Sequence, residues 1–423
     1  MIIPPIEFIS GTVKVPASKS YSQRALAAAF LAKGKSKLVN FGHSDDELAA
    51  LSILKNAGAK CHQNDHVLEV DASNILDKEL IINCGESGLS ARLFTPIFAN
   101  YNSPIQIVGE GSLRYRSMKE FENIFKQLNV DFHSNNGVLP FHLKGPIDSP
   151  SKITVNGEIS SQFITGLVFI LSAIEKQKDI VVEILNPTSI PYILMSLEVL
   201  KSFGASLEFI ENKIVVPKDC RLVPTDFSIE SDWSSASYWI VAAAIGGKIS
   251  LEGLNPDSLQ ADKQILDVLM QYGADYSFNN ECLVVEARNH LPFNFDATNC
   301  PDLFPALVVL ATSAHVVSKI HGVNRLFHKE SDRAKVLVSE FSKLGSDISI
   351  IDNSMIVNGK GKLNGGIVES HNDHRISMAC SIAAMNSRKP IYINGSDSVK
   401  KSYPDFFKHL AGFGVKIGNQ NEL

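Results

Sequence analysis

The 423-residue sequence has little of what marks several large classes of protein. Its six cysteines form neither a CxxC pair nor a cluster, so neither a disulfide framework nor a zinc site is indicated. Apolar runs are too short to cross a membrane, and no low-complexity tract occurs. With a net charge of −5, the chain also lacks the basic excess of a general nucleic-acid-binding protein.

The composition itself is that of an ordinary globular protein. Apolar residues make up 44% and charged residues 20% of the chain, which is long enough to form two sizeable cores. We therefore expect a cytoplasmic protein that binds neither nucleic acid nor membrane. We also expect a monomer that needs no metal ion or organic cofactor.

Two signals recur about every 70 residues along the chain. In the first, a helical segment ends in Gly and passes into a strand, and in one weaker copy Asn replaces Gly. Both residue types accept the left-handed backbone of a helix C-terminus. The six positions are Gly58, Asn129, Gly204, Gly273, Gly345 and Gly414.

The second signal is a helix with small polar residues at its start and an apolar body. Bodies that are apolar nearly all round predict helices buried inside a domain. Short β-rich runs such as 213–217, 282–286 and 390–394 predict strands. Each repeat is therefore predicted to consist of a strand, a buried helix, a strand, an amphipathic helix and a strand. Six such units predict two domains of three units each. The buried helices start near Ser18, Ser87, Ser160, Trp233, Pro301 and Asp373.

Cations lie beside these helix starts, where ordinary helices prefer Asp or Glu. A helix N-terminus presents free amide donors and a partial positive charge, so an added Lys or Arg favours binding of a phosphate or carboxylate. The repeated pattern indicates anionic ligands. The cations are Lys19, Arg24, Arg92, Lys329, Arg333 and Arg375.

Each motif taken alone also has a purely structural interpretation. Residues 18–20, 160–162 and 234–235 could cap helices, and Arg114 with Arg116 could be a solvated strand end. The segment 329–333 could be a helix start, with acids in its first turn. In the segment 371–375 two histidines lie three residues apart, but no third metal ligand is evident.

Ten segments of the chain resemble, in order, those of the 5-enolpyruvylshikimate-3-phosphate synthase family of enolpyruvyl transferases. The similarity covers nearly the whole sequence. The segments are VPASKSYSQRAL, ESGLSARLF, GEGSLRYR, ISSQF, SIPY, ESDWSSASY, CPDLFPA, HKESDRA, NDHRISMA and KKSYPDFF.

The resemblance implies an α/β fold, an inside-out α/β barrel with two domains, each of three βαβαββ units around buried helices. The implied domains are 18–231 on the shikimate-phosphate side and 1–17 plus 232–423, with the active site in the cleft between them. The implied reaction transfers the enolpyruvyl group of phosphoenolpyruvate to the 5-hydroxyl of shikimate 3-phosphate and releases phosphate.

The resemblance also implies residue roles. Asp302 matches the family's proton acceptor and Glu330 its proton donor, and Lys19 is the third residue at a catalytic position. We expect Lys329 to keep Glu330 ionised. The positions matching shikimate 3-phosphate contacts are Lys19, Ser20, Arg24, Ser160, Ser161, Gln162, Ser189, Asp302 and Lys329. Those matching phosphoenolpyruvate contacts are Lys19, Gly88, Arg116, Gln162, Arg333, Arg375 and Lys401.

Some positions depart from the family pattern. Glu86 stands where many members have Asn, and Leu89 replaces a common Thr. An extra carboxylate beside phosphoenolpyruvate should repel it unless a cation such as Arg92 neutralises it. Either Asn324 or Arg325 could occupy a contact that the family often makes with Asn.

Three other functions are compatible with parts of the pattern. A UDP-N-acetylglucosamine enolpyruvyl transferase would share the fold, but it normally carries a reactive Cys in a mobile loop, and residues 109–116 contain none. An RNA 3'-phosphate cyclase would need a nucleotide and a catalytic His. A non-catalytic phosphosugar-binding relative would have no use for both Asp302 and Glu330.

Overall fold

The computed structural model describes residues 1–327 and 329–418. Its twelve α-helices are α1 (Lys19–Leu31), α2 (Asp45–Asn56), α3 (Gly88–Phe98), α4 (Glu120–Gln127), α5 (Gln162–Ala173), α6 (Ile190–Ser202), α7 (Trp233–Gly246), α8 (Ile265–Tyr272), α9 (Phe304–Ser313), α10 (Arg333–Lys343), α11 (His374–Ile382) and α12 (Phe406–Gly412). Short 3-10 helices lie at Gly111–Tyr115, Ala261–Gln264, Pro301–Leu303, Val323–Leu326, Ala383–Asn386 and Ser396–Lys401.

Twenty-three strands alternate with these helices. They are β1 (Ile2–Ile3), β2 (Ile9–Lys14), β3 (Lys35–Val39), β4 (Lys60–Asn64), β5 (Val67–Asp71), β6 (Leu80–Asn83), β7 (Ile105–Val108), β8 (Asp131–Asn135), β9 (Val138–Lys144), β10 (Lys152–Asn156), β11 (Ile180–Leu185), β12 (Phe209–Ile210), β13 (Lys213–Val216), β14 (Asp226–Ser228), β15 (Gly247–Glu252), β16 (Asp275–Asn279), β17 (Cys282–Glu286), β18 (Asn294–Asp296), β19 (Val317–His321), β20 (Asp347–Ile351), β21 (Ser354–Asn358), β22 (Gly366–Glu369) and β23 (Ile391–Asn394).

Tertiary contacts divide the chain into two compact units. One is Ala17–Glu230, and the other joins Met1–Pro16 to the described residues from Ser231 on. The first unit holds the sheets β14-β3-β5-β4, β6-β7-β9-β8 and β10-β11-β13-β12. The second holds β16-β17-β15-β2, β18-β19-β21-β20 and the three-stranded β1-β23-β22. The six sheets are separate, and none closes into a barrel within the described ranges.

The repeat is a βαβαββ unit, as the resemblance implied. The residue pattern alone gave one strand after the second helix, whereas the structure has two, joined by a tight turn. Glu211 and Asn212, between β12 and β13, both have positive φ, as do Asn136 and Gly137 between β8 and β9. Paired positive φ angles are typical of the hairpin turns that match the twist of antiparallel strands.

Two strands are exchanged between repeats. The strand before α1, β2, pairs in parallel with β15, from Ile9 opposite Gly247 to Lys14 opposite Glu252. The strand before α7, β14, pairs in parallel with β3. Each of these two helices is therefore preceded in sequence by a strand of the other unit, and the chain passes between units at two places.

The predicted interior helices are confirmed. All eleven residues of α3 are buried, and α1, α3 and α5 pack together in one unit as α7, α9 and α11 do in the other. The helix ends are confirmed as well. Gly58, Asn129, Gly204, Gly273, Gly345 and Gly414 have φ angles of 103°, 53°, 95°, 82°, 88° and 87°, all left-handed.

Candidate active site

The first turns of the interior helices differ from that of the outer helix α2, which holds Asp45, Asp46 and Glu47. As far as the structure describes the chain, the first turns of α1, α3, α5, α7, α9 and α11 contain no Asp or Glu. Asp232 and Asp373, the N-caps of α7 and α11, do accept from backbone N–H groups, and Asp302 lies on the turn before α9. At the starts of α1, α3 and α5 no such acid offsets the amide donors, which suits anion binding.

In the unit Ala17–Glu230, the first helix presents Lys19 and Ser20. The Lys19 Nζ donates to Asp46 Oδ2 at 2.8 Å. Arg24 is completely buried, and its Nε donates to Ser196 Oγ at 2.9 Å while its NH1 donates to the carbonyl of Ser20 at 2.8 Å. Burial lowers the pKa of Arg24 to about 10. Arg24 thus ties the start of α1 to α6.

The starts of α3 and α5 meet around Gly88. A Cβ at Gly88 would lie 2.9 Å from Arg116 NH1 and 3.0 Å from Arg92 NH1, so only glycine lets both guanidinium groups approach this helix start. Arg92 also donates to Gln162 Oε1 at 3.0 Å and lies over the ring of Phe163. The structure thus brings Gly88, Arg116 and Gln162 together.

The remaining predicted residues of this unit lie at two helix starts. Ser160 Oγ accepts from the backbone N–H of Gln162 at 3.2 Å, which is a capping contact, and Ser161 is buried beside it. Ser189 precedes α6 with a left-handed φ of 53° and is also buried. A serine held in this uncommon conformation fits a position whose geometry matters for function.

Asp302 is the centre of the cluster in the other unit. Its Oδ1 accepts from Arg333 NH1 at 2.9 Å and from Lys329 Nζ at 3.3 Å, and its Oδ2 accepts from Arg375 NH2 at 3.0 Å. Burial alone would raise the pKa of this carboxyl, but Arg375, Lys329 and Arg333 outweigh burial and hold it well below its usual range.

Arg333 connects the three carboxylates of this cluster. It begins α10 and is fully buried. Besides Asp302, its NH2 donates to Glu330 Oε2 at 2.6 Å, and its Nε donates to Asp373 Oδ2 at 3.0 Å. That Lys329 keeps Glu330 ionised stays a prediction. The ammonium of Lys329 bonds to Asp302, and Arg333, three residues further on, bonds to Glu330.

Lys401 ends the 3-10 helix Ser396–Lys401 and is mostly buried. Its Nζ donates to the carbonyl oxygen of Asn372 at 2.7 Å. Asn372 is next to Asp373, the N-cap of α11, so this contact links Lys401 to the loop that carries Arg375.

Some residues of these clusters were missed as site residues. Asp373 caps α11 and binds Arg333, and Asp46 holds Lys19. The signal for Asp373 was its place between two predicted site segments, whereas Asp46 is one of several acids in an ordinary helix start. Glu86 packs against Gly111, where a Cβ would overlap its carboxylate.

Neither a metal-binding cluster nor a membrane-spanning helix occurs among the described residues. No group of three or more His, Cys, Asp or Glu side chains is arranged to hold a metal ion. Among the helices described, none combines the length and the apolar character needed to span a bilayer.

Solved structures with this architecture are enolpyruvyl transferases. An EPSP synthase from Acinetobacter baumannii superposes with a TM-score of 0.83 at 24% identity, covering 99% of each chain. The enolpyruvyl transferase NikO from Streptomyces tendae superposes with a TM-score of 0.79 at 16% identity, covering 98% of this chain and 97% of its own. At these identities the likeness shows the fold, which is the enolpyruvyl transferase fold.

Sequence comparison identifies the family. The profile described as EPSP synthase (3-phosphoshikimate 1-carboxyvinyltransferase) matches residues 3–410. The 3-phosphoshikimate 1-carboxyvinyltransferases of Clostridium acetobutylicum and Clostridium novyi are 35% and 33% identical, over 97% and 96% of this chain and 96% and 95% of theirs. The chain belongs to the EPSP synthase family.

Proposed function

We propose that this chain transfers the enolpyruvyl group of phosphoenolpyruvate to the 5-hydroxyl of shikimate 3-phosphate and releases phosphate. Family membership supports the reaction. The observation that supports its chemistry is the cluster in which Asp302, on the turn before the interior helix α9, and Glu330 share Arg333, the first residue of α10. A general base, a general acid and anion-binding groups are all available there.

The residue roles follow the two groups of contacts. Shikimate 3-phosphate is bound by Lys19, Ser20, Arg24, Ser160, Ser161, Gln162, Ser189, Asp302 and Lys329. Phosphoenolpyruvate is bound by Lys19, Gly88, Arg116, Gln162, Arg333, Arg375 and Lys401. Both substrates carry a phosphate and a carboxylate, and the cations offset the repulsion that would otherwise keep them apart.

The reaction is an addition followed by an elimination. Asp302 takes the proton of the 5-hydroxyl as the hydroxyl oxygen bonds to C2 of phosphoenolpyruvate. At the same time Glu330 delivers a proton to C3. A tetrahedral intermediate results. Glu330 then takes a proton back from C3 as the C2–O bond to phosphate breaks, which regenerates the double bond, and Asp302 passes the hydroxyl proton to the leaving phosphate.

Competition between phosphoenolpyruvate and the two carboxyls for the arginines explains how Asp302 and Glu330 become able to transfer protons. Asp302 is a weak base while three cations bond it, and a Glu330 bonded by Arg333 is a poor acid. The carboxylate and phosphate of phosphoenolpyruvate compete for Arg333 and Arg375. As those contacts weaken, the pKa of Asp302 rises so that it can accept a proton, and Glu330 is freed from Arg333.

Phosphate release distinguishes the possible acceptors. The chain is incubated with phosphoenolpyruvate and either shikimate 3-phosphate or UDP-N-acetylglucosamine. We expect phosphate only with shikimate 3-phosphate. Release with the UDP-sugar would instead identify the sister transferase, and binding without release in either case would favour a non-catalytic relative.

Glu330→Gln tests the acid. We expect kcat to fall by a factor of about 10² to 10⁴, with phosphoenolpyruvate still bound in calorimetry. The matched control is Asp332→Asn, two residues away, because Asp332 caps α10 and pairs with the exposed Lys335 rather than with the cluster. Unchanged turnover in Glu330→Gln would remove Glu330 from the mechanism.

The expected cytoplasmic location and monomeric state stay predictions. Size-exclusion chromatography with light scattering tests the monomer.

A further inference from the structure

A second buried carboxylate lies on α10, away from the Asp302 cluster. Glu340 is only 1% exposed and follows Arg333 by seven residues, about two helical turns. Its oxygens accept from Lys343 Nζ at 2.7 Å, from the backbone N–H of Glu369 at 2.9 Å and from His371 Nε2 at 2.9 Å. None of these partners belongs to the proposed catalytic groups.

Glu340 is a permanent anion. Burial by itself would raise its pKa, but the hydrogen bonds from Lys343, His371, the Glu369 backbone and Ser339 lower it to about 2. A carboxylate that stays ionised at working pH is a strong, fixed acceptor for the histidine.

His371 begins a strained turn. It and Asn372 have φ angles of 52° and 56°, two successive non-glycine residues in the left-handed region. Two such residues in succession are uncommon, so surrounding contacts must hold the turn. Ser370 supports the turn through two hydrogen bonds: the Asn372 N–H donates to Ser370 Oγ, and the Ser370 hydroxyl donates to the carbonyl of Gly395.

The turn presents the groups that the proposed mechanism needs. The carbonyl oxygen of Asn372 accepts from Lys401 Nζ at 2.7 Å. The next residue, Asp373, binds Arg333 through both carboxylate oxygens and caps the helix that carries Arg375. A change in the conformation of the turn would therefore displace partners of all three cations.

We propose that Glu340 and His371 form a positioning pair that holds the 371–372 turn and so aligns Lys401 with Arg333 and Arg375 for the phosphate and carboxylate of phosphoenolpyruvate. The role of the turn in binding phosphoenolpyruvate rests on the proposed function. The claim that Glu340 and His371 hold the turn does not depend on it. Neither residue touches a reacting atom, so both act through the turn.

The test compares His371→Phe with His371→Gln. Phenylalanine keeps the ring and loses the N–H donor, whereas the glutamine side-chain amide can place an N–H near the position of Nε2. The control is Lys343→Met, which removes another partner of the same carboxylate from the exposed side of α10. All four proteins are first compared by circular dichroism and thermal unfolding.

The first readout is amide hydrogen exchange of the segment 370–376. We expect His371→Phe to accelerate exchange at least about tenfold, and His371→Gln to restore most of the protection. Lys343→Met should leave this segment unchanged. Equal exchange in wild type and His371→Phe would overturn the pair, whether or not the chain turns over.

The second readout is steady-state kinetics with both substrates. We expect His371→Phe to raise the KM for phosphoenolpyruvate about tenfold, with the KM for shikimate 3-phosphate changed less than about threefold, and His371→Gln to recover the wild-type value. Faster exchange with an unchanged KM would show a purely structural pair and overturn the proposal. A wild-type chain without turnover would instead refute the proposed function, and the exchange result would still decide whether the pair holds the turn.

Discussion

Replacing Asp262 with Asn should make the protein's stability less sensitive to a rise in pH between 3.8 and about 7. Asp262 lies on the 3-10 turn Ala261–Gln264 and is 1% exposed. Its Oδ2 accepts from the hydroxyl of Ser234, and its Oδ1 has no hydrogen-bond partner within the described structure. Burial raises the pKa of Asp262 to about 7, Asp302 adds to the rise, and Arg375 opposes it.

The size of the effect follows from this pKa. The folded chain binds the Asp262 proton more tightly than the unfolded chain, whose Asp has its ordinary value of 3.8. The proton's contribution is complete below that value and is lost as the pH rises through about 7. At about 1.4 kcal/mol per pKa unit, ionisation within the fold costs about 4 kcal/mol, of which about 2.5 kcal/mol is lost between about pH 5 and about pH 8.

Urea unfolding at these two pH values measures the effect. Wild type and Asp262→Asn share every other titrating group, so their difference isolates Asp262. We expect the free energy of unfolding of Asp262→Asn, relative to wild type, to rise by about 2.5 kcal/mol from about pH 5 to about pH 8. The control is Asp257→Asn, an exposed position in the same segment, which should follow wild type.

Parallel loss of stability in wild type and Asp262→Asn would refute the reasoning, because it would mean that Asp262 ionises in the fold as readily as in the unfolded chain. The same relative gain in Asp257→Asn would also refute it, since an exposed carboxyl has no burial to relieve.

Four further substitutions test the packing and the ion cluster. Gly166→Ala should destabilise the protein by about 1 to 3 kcal/mol, because the added Cβ would overlap the carbonyl of Arg92. Gly412→Ala should stabilise it by up to about 1 kcal/mol, because a Cβ there meets nothing within 4 Å. Equal shifts of the urea midpoint in the two variants would contradict this. Tyr403→Phe should cost about 1 to 3 kcal/mol because a buried tryptophan N–H and a histidine ring lose their partner, and an unchanged thermal midpoint would count against it. Asp373→Asn should cost about 3 kcal/mol and raise the KM for phosphoenolpyruvate, since it removes a buried carboxylate from an arginine; wild-type kinetics and stability would show that the pair is dispensable.

Much of the repeat could be predicted because its signals are local. A helix that ends in the left-handed region needs Gly or Asn whatever surrounds it, and all six predicted positions adopt that conformation. The interior helices could be predicted because residues on every face are apolar. The hairpin strands are short, so the pattern gave one strand where the structure has two. The runs 213–217 and 282–286 match β13 and β17, and the strands that pair with them, β12 and β16, were missed.

Charge pairing was harder to predict. Lys329 and Glu330 are adjacent in the sequence, but in the bend before α10 Arg333 bonds to that glutamate and the lysine bonds to Asp302. Likewise, the sequence shows Glu340 only as one acid on an amphipathic helix, whereas the fold places His371 in contact with it.

The sequence by itself determined the family, the number of repeats and the residue types at each interior helix start, because these depend on composition and on backbone preferences within a few residues. Only the tertiary structure decided which strand joins which sheet and which cation meets which carboxylate. Strand exchange and ion pairing join residues far apart in the chain, and their partners follow from packing in three dimensions, as β2 with β15 and Arg375 with Asp302 illustrate.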